Sequence, residues 1–181
     1  VRYAYHVHPD WYITNLDLLS YAGNPDNLRD IEALEAPRAQ KRYEFIQSDI
    51  CNEEMLDGLF KSHAFDLVVH FAAESHVDRS IFNVLHFVRT NIEGTRCLIE
   101  ASRKYHMPRF IHISTDEIYG SIDSGYAAED APLRPSNPYA ASKAGGDLLV
   151  QSYMHTHRFP AIIARGSNNY GPFQYPEKLI P

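Results

Sequence analysis

The sequence is poor in cysteine, short of basic charge and empty of long apolar runs, and each shortage removes a class of function. Two cysteines, Cys51 and Cys97, cannot build a disulfide framework, so a reducing cytoplasm is the expected setting. Seventeen lysines and arginines against 23 aspartates and glutamates leave a net charge of −6. That balance offers no electrostatic footprint for nucleic acid or for an anionic membrane. No run approaches the roughly 20 apolar residues that span a bilayer, and the N-terminus lacks the basic, apolar, small-residue order of a signal peptide. An initiator methionine is missing too: the chain opens at Val1 and closes at Pro181, and both ends read as cuts inside a larger protein. No G-x-G-x-x-G or G-x-x-G-x-x-G occurs, so the glycine turn that would cradle a pyrophosphate is absent.

What is present suits one globular domain. The 181 residues are 44% hydrophobic, enough for a sizeable core. Short apolar runs at 11–16, 43–46, 66–72, 109–114 and 160–164 read as buried strands. Helical patterns lie between them at 53–61, from about 84 to 103, and from 138 to about 155, and residues 1–8 read as the tail of another helix. Strands alternating with helices predict an α/β fold, a doubly wound parallel sheet of the Rossmann type. Residues 120–137 read as a loop of moderate length, and a loop that long in a compact domain is more often functional than idle.

Of twelve tyrosines, only Tyr139 has a lysine four residues on, Lys143. Pro138 suits the first position of a helix, with Asn137 or Ser136 as its cap. The spacing then puts both side chains on one face. An ammonium beside a phenol lowers its pKa from about 10 toward neutrality, which would make Tyr139 a base for a sugar hydroxyl. Taken alone, the spacing suits an ordinary exposed helix pair better. It is joined by Thr115, Asp116 and Glu117, directly after the strand 109–114, where ligands of open α/β sheets bind. A helix cap with acidic first-turn residues is the competing reading, but Ile118–Tyr119–Gly120–Ser121 does not start an amphipathic helix. Asp17 ends the first strand, where an acidic residue would hold ribose hydroxyls; an ordinary turn aspartate fits equally well. No lysine or arginine follows it (Leu18, Leu19, Ser20), which favours NAD over NADP. Asp49 and Ile50 could contact an adenine, and Phe71, Ala72 and Ala73 end a strand with small residues that let a cofactor pass.

Two patterns take plainer readings. His155 and His157 point to different helical faces, and His70 and His112 sit inside apolar strands as satisfied core residues, so no metal site is expected. Gly145–Gly146 inside a helix reads as close packing against the sheet or a cofactor.

Thr115–Asp116–Glu117 with Tyr119–Gly120, followed by Tyr139-x-x-x-Lys143, resembles the extended short-chain dehydrogenases that modify nucleotide sugars. The stretch 70–80 (HFAAESHVDRS), Thr90–Asn91-x-x-Gly94–Thr95, and Ser167–Asn168–Asn169–Tyr170–Gly171–Pro172 are similar to the dTDP-glucose 4,6-dehydratase family, as are Asn15–Leu16–Asp17, residues 21–24 and residues 176–181. Related epimerases and decarboxylases share the Tyr and Lys but usually lack the Asp–Glu pair. The resemblance implies a partial NAD-binding domain over 1–181, lacking its first strand and glycine turn, with the substrate domain beyond Pro181, and a fragment inactive by itself. It implies oxidation of sugar carbon 4 with NAD, loss of water across carbons 5 and 6, and reduction of carbon 6. In that scheme Tyr139 is the base at the carbon 4 hydroxyl, Lys143 stabilises the phenolate and holds the nicotinamide ribose, and Thr115 orients the hydroxyl. Glu117 is the base at carbon 5 and Asp116 the acid at the leaving oxygen. By family position Asp17, Leu18, Ser20, Asp49, Ile50, Phe71, Ala72, Ala73, Thr90, Asn169, Tyr139 and Lys143 line the NAD site. Ser75, Thr115, Asn168, Lys178 and Leu179 touch a dTDP-glucose substrate. A homodimer through helices of this half is implied as well. The competing expectation is another enzyme of the group: a UDP-sugar epimerase, decarboxylase or 4,6-dehydratase.

Overall fold

The structure, a computed structural model, describes residues 1–177. It divides into two compact units: Val1–Asp49 with residues 171–177, and Ile50–Tyr170. The first holds α1 (Arg2–Val7), β1 (Ile13–Asp17), α2 (Arg29–Glu35) and β2 (Tyr43–Gln47). β1 and β2 pair in parallel, from Ile13 opposite Tyr43 to Asp17 opposite Gln47. Their core is Tyr5, Ile31 and Tyr43, with Ile13, Leu28 and Phe45 packed around it. The expected strand from residue 11 starts two residues later, because Trp11 and Tyr12 turn out to solvent and Trp11 stacks on His8 with ring centroids 4.0 Å apart. α2 had no clear signal: its seven residues bury only Ile31 and Glu35. Buried Glu35 is satisfied by the Tyr5 hydroxyl, by the backbone N–H groups of Arg42 (2.5 Å) and Tyr43 (3.3 Å), and by Arg38 (3.1 Å). Burial raises its pKa, and those donors more than reverse it, leaving the carboxyl below its ordinary range.

The second unit holds α3 (Glu53–Ser62), β3 (Val68–His70), α4 (Val77–Phe82), α5 (Val84–Val88), α6 (Thr95–Lys104), β4 (Phe110–Thr115), α7 (Pro138–His157) and β5 (Ala161–Gly166). The strands are all parallel in the order β3-β4-β5, so β4 is central. Parallel neighbours need crossovers: α4 to α6 link β3 to β4, and α7 links β4 to β5. The expected helix over 84–103 forms but is not uniform. Arg89–Gly94, between α5 and α6, is a π-helical stretch, the widened geometry that recurs at functional sites. Asn91 within it is almost wholly buried. Its side-chain amide donates to the Glu74 carbonyl (2.9 Å) and Ser142 Oγ (2.8 Å), and its Oδ1 accepts from the Glu74 N–H (2.9 Å). One residue thus fastens the segment after β3 and the middle of α7.

α7 comes close to that stretch because it carries Gly145 and Gly146. A Cβ on Gly146 would stand 2.7 Å from the Asn91 carbonyl oxygen, and one on Gly145 would stand 2.7 Å from Ile92 Cδ1. The glycines are a helix-packing surface, turned to the π stretch. The parallel sheets and their helical crossovers are the expected Rossmann-like α/β class. Among the described residues no helix is long and apolar enough to cross a membrane.

Candidate active site

α7 begins at Pro138 because Asn137 caps it, its Oδ1 accepting from the Ala140 N–H at 2.8 Å. The same side chain donates its amide to Glu117 Oε2 (3.2 Å), so one asparagine ties the helix start to the acidic turn after β4. That turn, Asp116–Tyr119, is a short 3-10 helix. Thr115 caps it, accepting from the Glu117 N–H at 3.3 Å. The capping role that competed with a functional one at Thr115 is therefore present. Thr115 is buried, Glu117 is half-buried and Asp116 is exposed.

Tyr139 and Lys143 lie one turn apart on the buried face of α7. Tyr139 N–H donates to Ser80 Oγ (3.1 Å), and its ring meets Phe87 edge-on at 6.5 Å. The expected lowering of its pKa is not what the structure gives. Burial raises the phenol above its ordinary value; the interaction with Thr115 works against this, and the charges of Glu117 and Asp116 add to it. Lys143 does not reverse the balance, and its Nζ donates to the Ile113 carbonyl of β4 at 2.7 Å. Burial pulls the ammonium down to about 8, with the carboxylate of Asp147 acting to raise it.

Asp147, one further turn along α7, escaped the sequence reading. It is fully buried; its Oδ2 accepts from Arg165 Nε (2.9 Å) and its Oδ1 lies 3.3 Å from His112 Nε2. Its place four residues after Lys143 was a usable signal; Arg165, on β5, offered none. The expectation of satisfied core histidines holds in part. His70 Nε2 donates to Thr95 Oγ1 at 2.9 Å, because the threonine hydroxyl is itself given to the Asn91 carbonyl (2.8 Å). Among the described residues His70 Nδ1 and His112 Nδ1 have no hydrogen-bond partner, and burial pushes both imidazoles below their ordinary value, so they stay neutral. Asp116, Glu117, Tyr119, Glu129 and Arg165 line a hollow of about 660 Å³ in this unit.

The remaining expected positions divide between the units. In the first, Asp17, Leu18 and Ser20 are exposed at the carboxyl end of β1, and Asp49 is half-buried. Asp17 Oδ1 accepts from the Leu19 N–H (2.7 Å), and with Asn15, Leu19 and Gly23 it lines a hollow of about 170 Å³. A carboxylate at a strand end beside a hollow fits a dinucleotide's ribose. In the second unit, Ile50 is buried against Gly94, where a Cβ would stand 2.5 Å from its Cδ1. Phe71 is exposed, Ala72, Ala73, Ser75 and Thr90 are half-buried, and Asn168 and Asn169 are exposed. Small, open positions after β3 suit a cofactor that passes close to the backbone. Lys178 and Leu179 lie outside the described residues. Thr115, Asp116, Glu117 and Tyr139 are thus brought together in one unit, with Lys143 a turn away.

The family model for GDP-mannose 4,6 dehydratase matches residues 7–181. The chain is 49% identical over 169 residues to a dTDP-glucose 4,6-dehydratase of Streptomyces niveus, covering 93% of this chain and 48% of that protein. Its fold is similar to a crystal structure of a dTDP-glucose 4,6-dehydratase double mutant from Streptomyces venezuelae with NAD bound. There the TM-score is 0.89 at 43% identity, over 99% of this chain and 54% of that one. A UDP-glucuronic acid 4-epimerase from Bacillus cereus in complex with NAD is similar at TM-score 0.81 and 31% identity, over 97% and 54% of the two chains. The chain spans about half the length of the curated relatives it matches.

Proposed function

Because the chain belongs to the GDP-mannose 4,6 dehydratase family, we propose that its protein dehydrates dTDP-glucose to the 4-keto-6-deoxy sugar with NAD as a resident cofactor. In this reading residues 1–181 are part of the NAD-binding domain, and the substrate domain lies elsewhere in the protein. The observation that carries it is the Asp116–Glu117 turn, tied through Asn137 to the start of the helix that bears Tyr139 and Lys143. A transfer of hydrogen at carbon 4 needs only the tyrosine and lysine. Elimination of water needs a further acid and base, and the carboxylate pair supplies them.

NAD, when bound, would supply the oxidation at carbon 4 and, in its reduced form, return the same hydride to carbon 6 while carbon 5 regains a proton. Asp17 would take its ribose hydroxyls, with Leu18, Ser20, Asp49, Ile50, Phe71, Ala72, Ala73, Thr90 and Asn169 as further candidate contacts. Lys143 would hold the nicotinamide ribose, and Tyr139 would take the proton of the carbon 4 hydroxyl, which Thr115 would orient, once a cationic nicotinamide beside the phenol offsets the burial that raises it. The ketone at carbon 4 acidifies the carbon 5 proton. Glu117 removes that proton while Asp116 protonates the oxygen leaving carbon 6. Ser75, Asn168, Lys178 and Leu179 complete the substrate contacts. We assign the protein to the cytoplasm and to a homodimer. The dimer reading rests on Ile81, Phe82 and Leu85 of α4 and α5, which are 60, 89 and 74% exposed and form an apolar surface that a second copy would cover.

The test is product mass. The full-length protein is incubated with dTDP-glucose and, separately, with UDP-glucose. Loss of one water from dTDP-glucose alone supports the reading. Unchanged mass with an inverted sugar centre would transfer the protein to the epimerases.

A further inference from the structure

The polar cluster under α7 contains a carboxylate that the proposed chemistry does not use. Tyr139, Lys143 and Asp147 are four residues apart in turn, so they stack along one face of the helix, and all three are buried. Asp147 is the deepest of them, with no exposed surface. A carboxylate is not left there without a reason, since an unpaired buried charge is among the costliest groups in a fold. Arg165 of β5 donates to its Oδ2 at 2.9 Å, and His112 Nε2 of β4 stands 3.3 Å from its Oδ1. The guanidinium is itself anchored, Nη1 donating to the Tyr119 hydroxyl and to the Glu129 carbonyl, both at 2.7 Å. The carboxylate is therefore fixed in place from the sheet side.

We propose that Asp147 is a positioning residue of the active-site helix, a buried carboxylate pinned by Arg165 one helical turn beyond Lys143, whose charge sustains the cationic form of the Lys143 side chain while the Ile113 carbonyl holds its ammonium. The inference rests on the reading that Lys143 serves the chemistry. Few other groups could do this. On α7 itself Tyr139 is neutral. β4 presents His112 and β3 presents His70, and both are held neutral by burial. α4, α5 and the π stretch face α7 with Ser80, Phe87 and Asn91, and α6 with Thr95, none of them charged. The acidic turn contributes Asp116 and Glu117, whose charges act on Tyr139, whereas the group that acts on Lys143 against its burial is Asp147. Without Asp147 the ammonium would retain the Ile113 carbonyl as a partner but no compensating charge. A second cation, Arg165, would also be left unpaired nearby.

The experiment follows the titration of Lys143 directly, by NMR of full-length protein labelled at its lysine side chains, the signal being assigned by its loss in Lys143→Arg. Asp147→Asn should lower the Lys143 midpoint by about one pH unit or more. Arg165→Met, which frees the carboxylate from its competing partner, should raise it. With NAD bound, the alkaline limb of kcat for dTDP-glucose should move in the same two directions. A residue that merely held the fold together would reduce activity at every pH and leave both midpoints unmoved. An unchanged midpoint in folded Asp147→Asn overturns the proposal. Should that variant not fold, Arg165→Met decides: a midpoint unchanged or lowered overturns it equally. The NMR midpoint does not depend on turnover, so its failure is distinguishable from a wild-type protein that does not dehydrate dTDP-glucose.

Discussion

At the scale of single residues, burial sets the chemistry of the site and works against its charges. Tyr139 is raised above its ordinary value and Lys143 is depressed to about 8, both chiefly because low-dielectric surroundings disfavour the ionised form. Tyr139→Phe removes the phenol oxygen we propose as the proton acceptor while keeping the ring that meets Phe87. In the full-length protein kcat should fall roughly 10²- to 10⁴-fold with NAD still bound, measured by product mass and by cofactor content. Undiminished turnover would remove Tyr139 from the mechanism. Lys143 makes the opposite prediction for stability. Its folded pKa lies below its unfolded 10.5, so below about pH 8 both states are protonated and the fold carries the whole cost of burying the ammonium. The difference, 10.5 − 8 = 2.5 units, corresponds to about 3 kcal/mol. The bond to the Ile113 carbonyl offsets about 1 kcal/mol of it. Lys143→Met should therefore stabilise the cofactor-free protein at pH 7 by on the order of 1–3 kcal/mol while ending turnover. The gain should shrink as pH rises from 8 toward 10.5, and urea unfolding across that range reads it. A variant less stable than wild type at pH 7 would contradict the account.

At the scale of elements, the site depends on how closely α7 approaches the π-helical stretch. Gly146→Ala places a methyl 2.7 Å from the Asn91 carbonyl oxygen, a backbone atom that cannot swing aside. Ala is otherwise the better helix former by about 1 kcal/mol. A gain in stability would thus show that the approach is loose; we expect a loss of roughly 1–3 kcal/mol, read by thermal unfolding. Much of this level was legible beforehand. The runs at 43–46 and 109–114 give β2 and β4 almost to the residue, because short runs rich in aromatic and β-branched residues between polar or turn residues favour strand. Pro138 after Asn137 gives the start of α7. The π widening was not legible: RTNIEG stood out for its family-like Thr90–Asn91 and Gly94, but nothing in it calls for a widened turn, and the distortion answers a partner distant in the chain. The same holds for the site: Tyr139-x-x-x-Lys143 is local and visible. Asp147 with Arg165 is a tertiary pair across 18 residues that only the packing of α7 on the sheet creates.

At the scale of the whole molecule, the unexplained surface is apolar. Ile81, Phe82 and Leu85 fall within five residues of chain, and Phe82 leaves 89% of its accessible area to water. Single exposed apolar residues are ordinary, but three large ones within five residues at the junction of α4 and α5 are the stretch we propose as the docking surface for a second copy. The neighbouring Val84 and Val88 are exposed as well, which extends the patch along α5. Covering it with a second copy removes apolar area from both protomers at once, because a two-fold interface presents the same patch twice. Each substitution of this patch consequently acts twice per dimer. Phe82→Glu combined with Leu85→Glu would bring four carboxylates into one apolar contact, where each must be desolvated without a partner. If the proposed homodimer is built on this stretch, the full-length wild type should sediment as a dimer and this variant as a monomer at the same concentration, with its circular dichroism unchanged because neither side chain belongs to the described core. Persistence of the dimer in that variant would place the interface elsewhere and leave the patch to another part of the same protein.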